Sequence, residues 1–216
     1  MARTRGAKKD LLASADPSLP PTRVVPRPQD ADGRIDWSQW FDPDRPVEAD
    51  IGCGMGRFLL ARSRMNPGVQ YLGLELESAR IVHIDVAARR EGLENLRLLQ
   101  GDALLSLPLL PDGFLRAATV FFPDPWPKRR HWRRRLVQAP FLDAVHRVLA
   151  PGGLLHLATD QSTYFDSMER LLDPDPRFER VPAPERTPDE WTDFERLFRA
   201  KGLPVYEGAW RRRPAE

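Results

Sequence analysis

Asp50-Ile51-Gly52-Cys53-Gly54-Met55-Gly56 sets three glycines at alternate positions, after an apolar run and ahead of Phe58-Leu59-Leu60-Ala61, whose spacing predicts a helix. Glycines there let backbone approach a nucleotide closely, with no side chain in the way. The spacing is G-x-G-x-G, not the G-x-G-x-x-G of a pyrophosphate-binding turn, so a pyrophosphate-free cofactor such as S-adenosylmethionine suits Gly52, Gly54 and Gly56 better. A tight strand-to-helix turn without a ligand would use the same glycines, and the neighbouring acids bear on the choice. Asp50 leads into the loop, and Glu75 ends YLGLE about 20 residues later, where a carboxylate can accept both ribose hydroxyls. Asp102, in QGDALL, is placed to reach the exocyclic amine of an adenine. Any one of these acids reads equally well as a helix N-cap. Three at successive strand ends read as a cofactor site.

A second constellation follows Thr119-Val120-Phe121-Phe122. In Pro123-Asp124-Pro125-Trp126-Pro127 each proline fixes its own φ and restricts the residue before it, so Asp124 is expected on a stiff platform. Directly after comes Lys128-Arg129-Arg130-His131-Trp132-Arg133-Arg134-Arg135, with six cations and no acid. Such a run is often only a solvated face. Fused to a turn at a cofactor edge, Arg130, His131, Trp132, Arg133, Arg134 and Arg135 become candidates for binding RNA phosphates, with Trp132 stacking on a base.

Apolar patterning supplies the elements that must position these groups. From Val47 onward, VEADI, YLGLE, LRLLQ, AATVFF and GLLHLAT read as buried strands. Helices alternate with them over FLLARSRM, Ser78 to Arg90, and Ala139 to Leu149, the last ended by Pro151-Gly152-Gly153. Alternation of this length implies an α/β fold: an open, mostly parallel, doubly wound sheet. In a sheet ordered 3-2-1-4-5, Asp124 emerges beside the glycine loop. Tyr164 to Leu172 reads as a helix, the stretch through Glu190 as turns, Trp191 to Ala200 as a helix, and Leu203 to Trp210 as a closing antiparallel strand. Residues 1 to 35, basic and then proline-rich, are expected to form a tail with no packing face, leaving 36 to 216 as one domain. Trp37, Trp40 and Phe41 are expected to cover a core edge.

Composition narrows the chemistry further. The 33 Lys and Arg nearly balance 31 Asp and Glu, so affinity for nucleic acid must be local. Cys53 is the only cysteine and the four histidines lack ligand spacing, which argues against a structural metal. Cys53 also lacks a neighbouring base, so it is expected to fill an apolar gap and not to act as a nucleophile. No apolar run is long enough for a membrane span, and the N-terminus lacks a signal-peptide core, so a cytoplasmic setting is expected.

With IGCGMG, FFPDPWPKRRHWRRR, ATDQSTY and TDFE in one chain, the sequence resembles the bacterial tRNA (guanine-N7)-methyltransferase family over roughly Val47 to Trp210. The resemblance implies a class I S-adenosylmethionine-dependent methyltransferase that methylates N7 of a guanine in tRNA, namely guanosine 46 of the variable loop. It implies cofactor contacts from Asp50, Glu75, Asp102 and Asp124, with Asp124 also the catalytic acid. It assigns Lys128, Asp160, Thr192, Asp193, Phe194 and Glu195 to tRNA, puts Arg130 to Arg135 in an RNA-interacting loop, and allows a monomer or a homodimer. The chain departs from the family pattern in having Asp50 where many members have Glu, and Trp132 where a small polar residue is usual. Two other readings stay open: a methyltransferase for exocyclic amines, which normally carries an adjacent proline pair after strand 4, and an RNA-binding module that has lost catalysis. A nicotinamide dehydrogenase is disfavoured by the glycine spacing and by the absence of a catalytic His or Tyr-Lys pair.

Overall fold

The computed structural model describes residues 23–26 and 35–214. Seven strands form one sheet in the order β3-β2-β1-β4-β5-β7-β6: β1 is Val47–Ile51, β2 Gln70–Glu75, β3 Leu96–Gln100, β4 Leu115–Phe121, β5 Leu149–Thr159, β6 Phe178–Val181 and β7 Tyr206–Arg212. The first five pair in parallel, whereas β7 runs antiparallel to β5 and to β6. The connecting helices are α1 Arg57–Met65, α2 Ser78–Arg90, the single turn α3 Ala103–Ser106, α4 Ala139–Val148, α5 Ser162–Leu172 and α6 Asp193–Ala200.

Strands covered on both faces need apolar side chains in both directions. All six residues of β2 are buried, and Leu155 and Leu157 of β5 are fully so. Two apolar layers result. One gathers Leu72, Leu99, Val120, Phe141, Val145, Tyr164 and Trp210, and the other gathers Leu59, Ile81, Ile84, Leu96 and Leu98. Trp37 and Phe41 close one edge of the first layer against Phe114, with ring centroids 5.5 and 5.4 Å away, and the Trp37 indole donates to the Leu109 carbonyl at 2.8 Å. These aromatics are core, as their clustering suggested.

Three local readings are revised. The helix expected to run to Leu149 ends at Val148: Leu149 is already extended, and Pro151-Gly152-Gly153 lies within β5, so proline and glycine shape a strand entry instead of stopping a helix. The stretch read as turns contains β6, whose Phe178 is buried while Glu179 and Arg180 face solvent, a four-residue edge strand obscured by the prolines around it. The closing strand starts at Tyr206, not Leu203.

The expected tail also gives way in part. Val24 bridges Leu98 in parallel, Val25 donates to the Leu98 carbonyl at 2.8 Å, Leu98 donates to the Arg23 carbonyl at 2.7 Å, and Val25 is 1% exposed. Residues 23–26 therefore cap the open edge of β3, which would otherwise present unpaired backbone. Nearly all the rest of that reading lies outside the described residues. Removing two buried methyls at Val25 should cost about 1–2 kcal/mol, so urea unfolding of Val25→Ala checks the docking. A midpoint equal to that of the parent would mean the segment does not pack on β3.

Candidate active site

Parallel strands in a doubly wound sheet deliver their carboxyl ends to one side, and five acids stand there. Asp50 is on β1, Glu75 ends β2, Asp102 follows β3, Asp124 lies three residues past β4, and Asp160 directly follows β5. The sheet order reverses between β1 and β4, where adjacent crossovers diverge and leave a crevice.

The glycine loop supplies the crevice floor. Gly52, Gly54 and Gly56 all adopt left-handed φ, at 77°, 59° and 78°. A side chain on Gly56 would meet Ile84 of α2 at 2.6 Å, so this glycine permits close helix packing, whereas the space beside Gly52 is open. Glu75 is locked in place: its Oε2 accepts from the Gly54 amide at 2.8 Å and its Oε1 from the Glu77 amide at 3.0 Å, with Arg80 at 3.5 Å. Asp102 caps α3, accepting from Leu104 at 2.8 Å, and is otherwise exposed. Exposed Met55, Leu76 and Leu104 stand beside these acids. An open glycine cradle, one fixed carboxylate, one exposed carboxylate and apolar side chains between them fit an adenosine-bearing cation such as S-adenosylmethionine. Among the described residues no group of His, Cys, Asp and Glu gathers to hold a metal.

Asp50 is nearly buried, and its Oδ1 accepts from the Thr119 hydroxyl at 2.9 Å. Desolvation pushes its carboxyl up to about 7; Glu75 adds to the rise, while the Thr119 bond and the Arg186 cation oppose it. Desolvation also pushes the Cys53 thiol well above its ordinary value, which suits packing and not nucleophilic chemistry.

The Asp124 turn is stiffer than its prolines alone require. Phe122 and Trp126, neither of them glycine, adopt left-handed φ of 52° and 43° on either side of it. Such conformations store strain that the surroundings must hold. Phe122 is held by its backbone N–H, which donates to the Ala158 carbonyl at 2.7 Å, and Trp126 lies under the Arg134 guanidinium, 4.9 Å from its carbon to the ring. The Asp124 carboxylate itself is exposed and makes no hydrogen bond or ion pair among the described residues. Proline content could have suggested rigidity, but nothing local signalled the two inverted residues.

The cationic run forms a 3₁₀ turn, Arg129–Arg134, after Lys128. Lys128, Arg130, Arg133 and Arg134 are exposed; His131 packs edge-on against Trp126 at 5.9 Å. Two members leave the expected RNA face. Arg135 is 4% exposed, with its guanidinium directed inward. Trp132 is half-buried and lends one ring face to Arg135, 4.5 Å away, so it is not the free stacking surface expected from sequence.

Asp160 is half-exposed, with Oδ2 accepting from Gln161 at 2.9 Å. The TDFE segment divides. Thr192 caps α6 by accepting from the Glu195 amide at 3.1 Å, while Asp193 and Phe194 are exposed on its first turn. Phe194 stacks on Phe198 at 6.4 Å, and Phe198 lies 5.6 Å from Phe122, which brings α6 to the Asp124 turn. Glu195, expected to touch tRNA, is fully buried between Arg186 at 2.5 Å and Arg199 at 2.9 Å. Arg186 also binds Glu207 at 2.8 Å, Glu207 meets His156 at 2.6 Å, and the Arg186 guanidinium covers Phe121 at 4.3 Å. Arg186, Glu207 and His156 escaped sequence reasoning because no motif joins positions so far apart.

The family described as "Putative methyltransferase" matches residues 44–208. A tRNA (guanine-N(7)-)-methyltransferase from Halorhodospira halophila is 40% identical over 188 residues, covering 84% of this chain and 81% of that protein. One from Cronobacter sakazakii is 37% identical over 178 residues, 82% of this chain and 74% of the relative. Among solved structures, the 16S rRNA methyltransferase KamB superposes with a TM-score of 0.63 at 20% identity, over 89% of this chain and 99% of that one. TrmN from Thermus thermophilus gives 0.56 at 19% identity, over 78% and 45%. These structural likenesses establish the fold alone: the expected open, mostly parallel α/β sheet, with antiparallel C-terminal strands.

A cation brought near Asp50 favours its ionised form, so binding must drive off the proton held by a carboxyl titrating at about 7. Affinity for S-adenosylmethionine is therefore expected to rise as pH increases through that value and to level off above it, and Asp50→Asn should flatten the profile. Calorimetry in two buffers of different ionisation enthalpy counts the released proton. A pH-independent affinity in the parent protein would place Asp50 away from the donor's charge.

Proposed function

From the premise that the chain belongs to the tRNA (guanine-N(7)-)-methyltransferase family, we propose how its own side chains carry that reaction. The enzyme depends on S-adenosylmethionine and methylates N7 of a guanine in tRNA. We assign that guanine to position 46 of the variable loop, residues 36 to 216 to one catalytic domain, and the setting to the cytoplasm.

S-adenosylmethionine supplies a methyl group on a positively charged sulfur, and the protein's contribution is geometry and charge. Gly52, Gly54 and Gly56 give the donor backbone to lie against, Glu75 holds the ribose hydroxyls, Asp102 reaches the adenine amine, and Asp50 faces the positive end. Guanine N7 has an in-plane lone pair and no proton, so no general base is required to prepare it. Alignment dominates the barrier, and orientation of this kind can contribute about 7–11 kcal/mol. As N7 takes the methyl group the purine becomes cationic and its N1 and N2 hydrogens more acidic. Carboxylates placed there stabilise the transition state more than the bound substrate.

The observation that carries this reading is Asp124: a carboxylate with no partner among the described residues, at the strand reversal, on a turn braced by prolines and two inverted residues. Asp160 is the second acid on that edge. Lys128, Arg130, Arg133 and Arg134 contact phosphates, and Thr192, Asp193 and Phe194 close the arm over the incoming nucleotide. Glu195 supports that arm from inside.

Asp124→Ala is expected to lower turnover at least tenfold while changing donor affinity less. Unchanged turnover would remove Asp124 from the mechanism. Nucleoside mass spectrometry of tRNA treated with enzyme and donor should show N7-methylguanine at position 46; N6-methyladenine would instead support an exocyclic-amine enzyme. Arg133→Ala with Arg134→Ala should raise KM for tRNA and reduce the salt dependence of binding by roughly one unit of log–log slope per lost contact. A parental slope would take RNA binding out of this loop.

A further inference from the structure

Arg135 closes the cationic run in sequence but serves a different surface in the fold. Its Nε donates to the Pro125 carbonyl at 2.9 Å, and its Nη1 donates to the Ser167 hydroxyl at 3.2 Å and the Thr163 carbonyl at 3.4 Å. Its guanidinium carbon lies 4.5 Å from the rings of both Trp132 and Tyr164. Tyr164 is itself fixed, fully buried with its hydroxyl accepting from the Val137 amide at 3.0 Å. Pro125 adjoins Asp124, and Thr163 and Ser167 belong to the first turns of α5, which begins two residues after Asp160. A single planar fork therefore joins the turn that carries Asp124 to the helix that follows Asp160.

We infer that Arg135 is a positioning residue that fixes the spacing between Asp124 and Asp160, and that it makes no contact with RNA. The inference rests on the reading of those two acids as the groups that face the guanine. Guanidinium suits the task because its donors diverge in one rigid plane that two aromatic rings can clamp, a geometry an ammonium cannot reproduce. Its Nη2 is buried too, with no hydrogen-bond partner among the described residues, so this end of the fork is not turned to solvent where RNA could reach it.

The test uses the full-length protein with tRNA and S-adenosylmethionine. Loosening a reacting geometry by about 1 Å can cost on the order of a hundredfold. Arg135→Ala is accordingly expected to lower kcat at saturating substrates by at least tenfold, with KM for tRNA and the salt slope of tRNA binding at parental values. Arg135→Lys, which can retain one bond but not the fork, should recover only part of kcat, and free guanidinium ion should partly restore the alanine variant. Donor affinity reports folding in each case. Should Arg135→Ala fail to fold, Ser167→Ala, which removes one arm of the clamp, is expected to lower kcat severalfold at unchanged KM. A raised KM and a salt slope reduced by about one with kcat intact would make Arg135 an RNA contact and overturn the inference. Parental kcat in Arg135→Ala, or in Ser167→Ala where only that variant folds, would overturn it equally. If the parent protein forms no N7-methylguanine, or Asp124→Ala retains full activity, the failure belongs to the reading of the acids and not to Arg135.

Discussion

Parallel pairing of β1 with both β2 and β4 is the constraint from which the site follows. It points five strand ends the same way and makes the crossovers diverge between β1 and β4, so the crevice is a product of topology before any side chain is considered. Sequence then has only to place an acid on each end. Had β4 run antiparallel, Asp124 would emerge at the opposite edge of the sheet, whatever its prolines did. The antiparallel strands are confined to the side beyond β5, where they extend the sheet without disturbing this arrangement.

Buried charge ties the C-terminal elements to the sheet. Arg186 and Glu195 are both almost fully buried, and together with Glu207 and His156 they connect α6 to β5 and β7 behind the crevice. Replacing such a group with apolar residues can be neutral, but removing one partner strands a buried charge at about 3–5 kcal/mol. On α6 the network meets the buried Glu195, while Phe194 points outward. The same Arg186 cation acts on Asp50 against the desolvation and the Glu75 charge that raise its carboxyl. The anchoring of α6 and the electrostatics of Asp50 thus share one side chain.

Much of this was legible in the chain. Strand and helix alternation located β1 to β5 and most of their helices, and the motif acids fell where the strand ends put them, because buried parallel strands write long apolar runs and tight turns write glycine and proline. What escaped has a common cause. β6 has only four residues, with one buried apolar side chain, so it leaves no period to detect. Val24 and Val25 pack against a strand more than 70 residues later, and the Arg186 cluster joins positions from 156 to 207; neither involves neighbours in sequence. Glu195 and Arg135 were misplaced for the opposite reason. Each sits in a run of exposed polar residues, and composition cannot say which member of such a run turns inward.

That last point divides the cationic segment into two physical roles. Arginines in water gain little from any one partner and act through number and long-range field, and Arg130, Arg133 and Arg134 stand exposed in that way. An arginine removed from water has no such latitude: its hydrogen bonds must be met by fixed acceptors, and only a fixed scaffold can supply them. Arg135 meets this at Nε and Nη1, through the Pro125 and Thr163 carbonyls and the Ser167 hydroxyl, while its Nη2 has no hydrogen-bond partner among the described residues. The strain at Phe122 and Trp126 requires an opposing hold on that same backbone, and the buried fork provides it. Solvent-facing and buried arginines therefore stand side by side in one short segment, separated only by the side from which each side chain leaves the backbone.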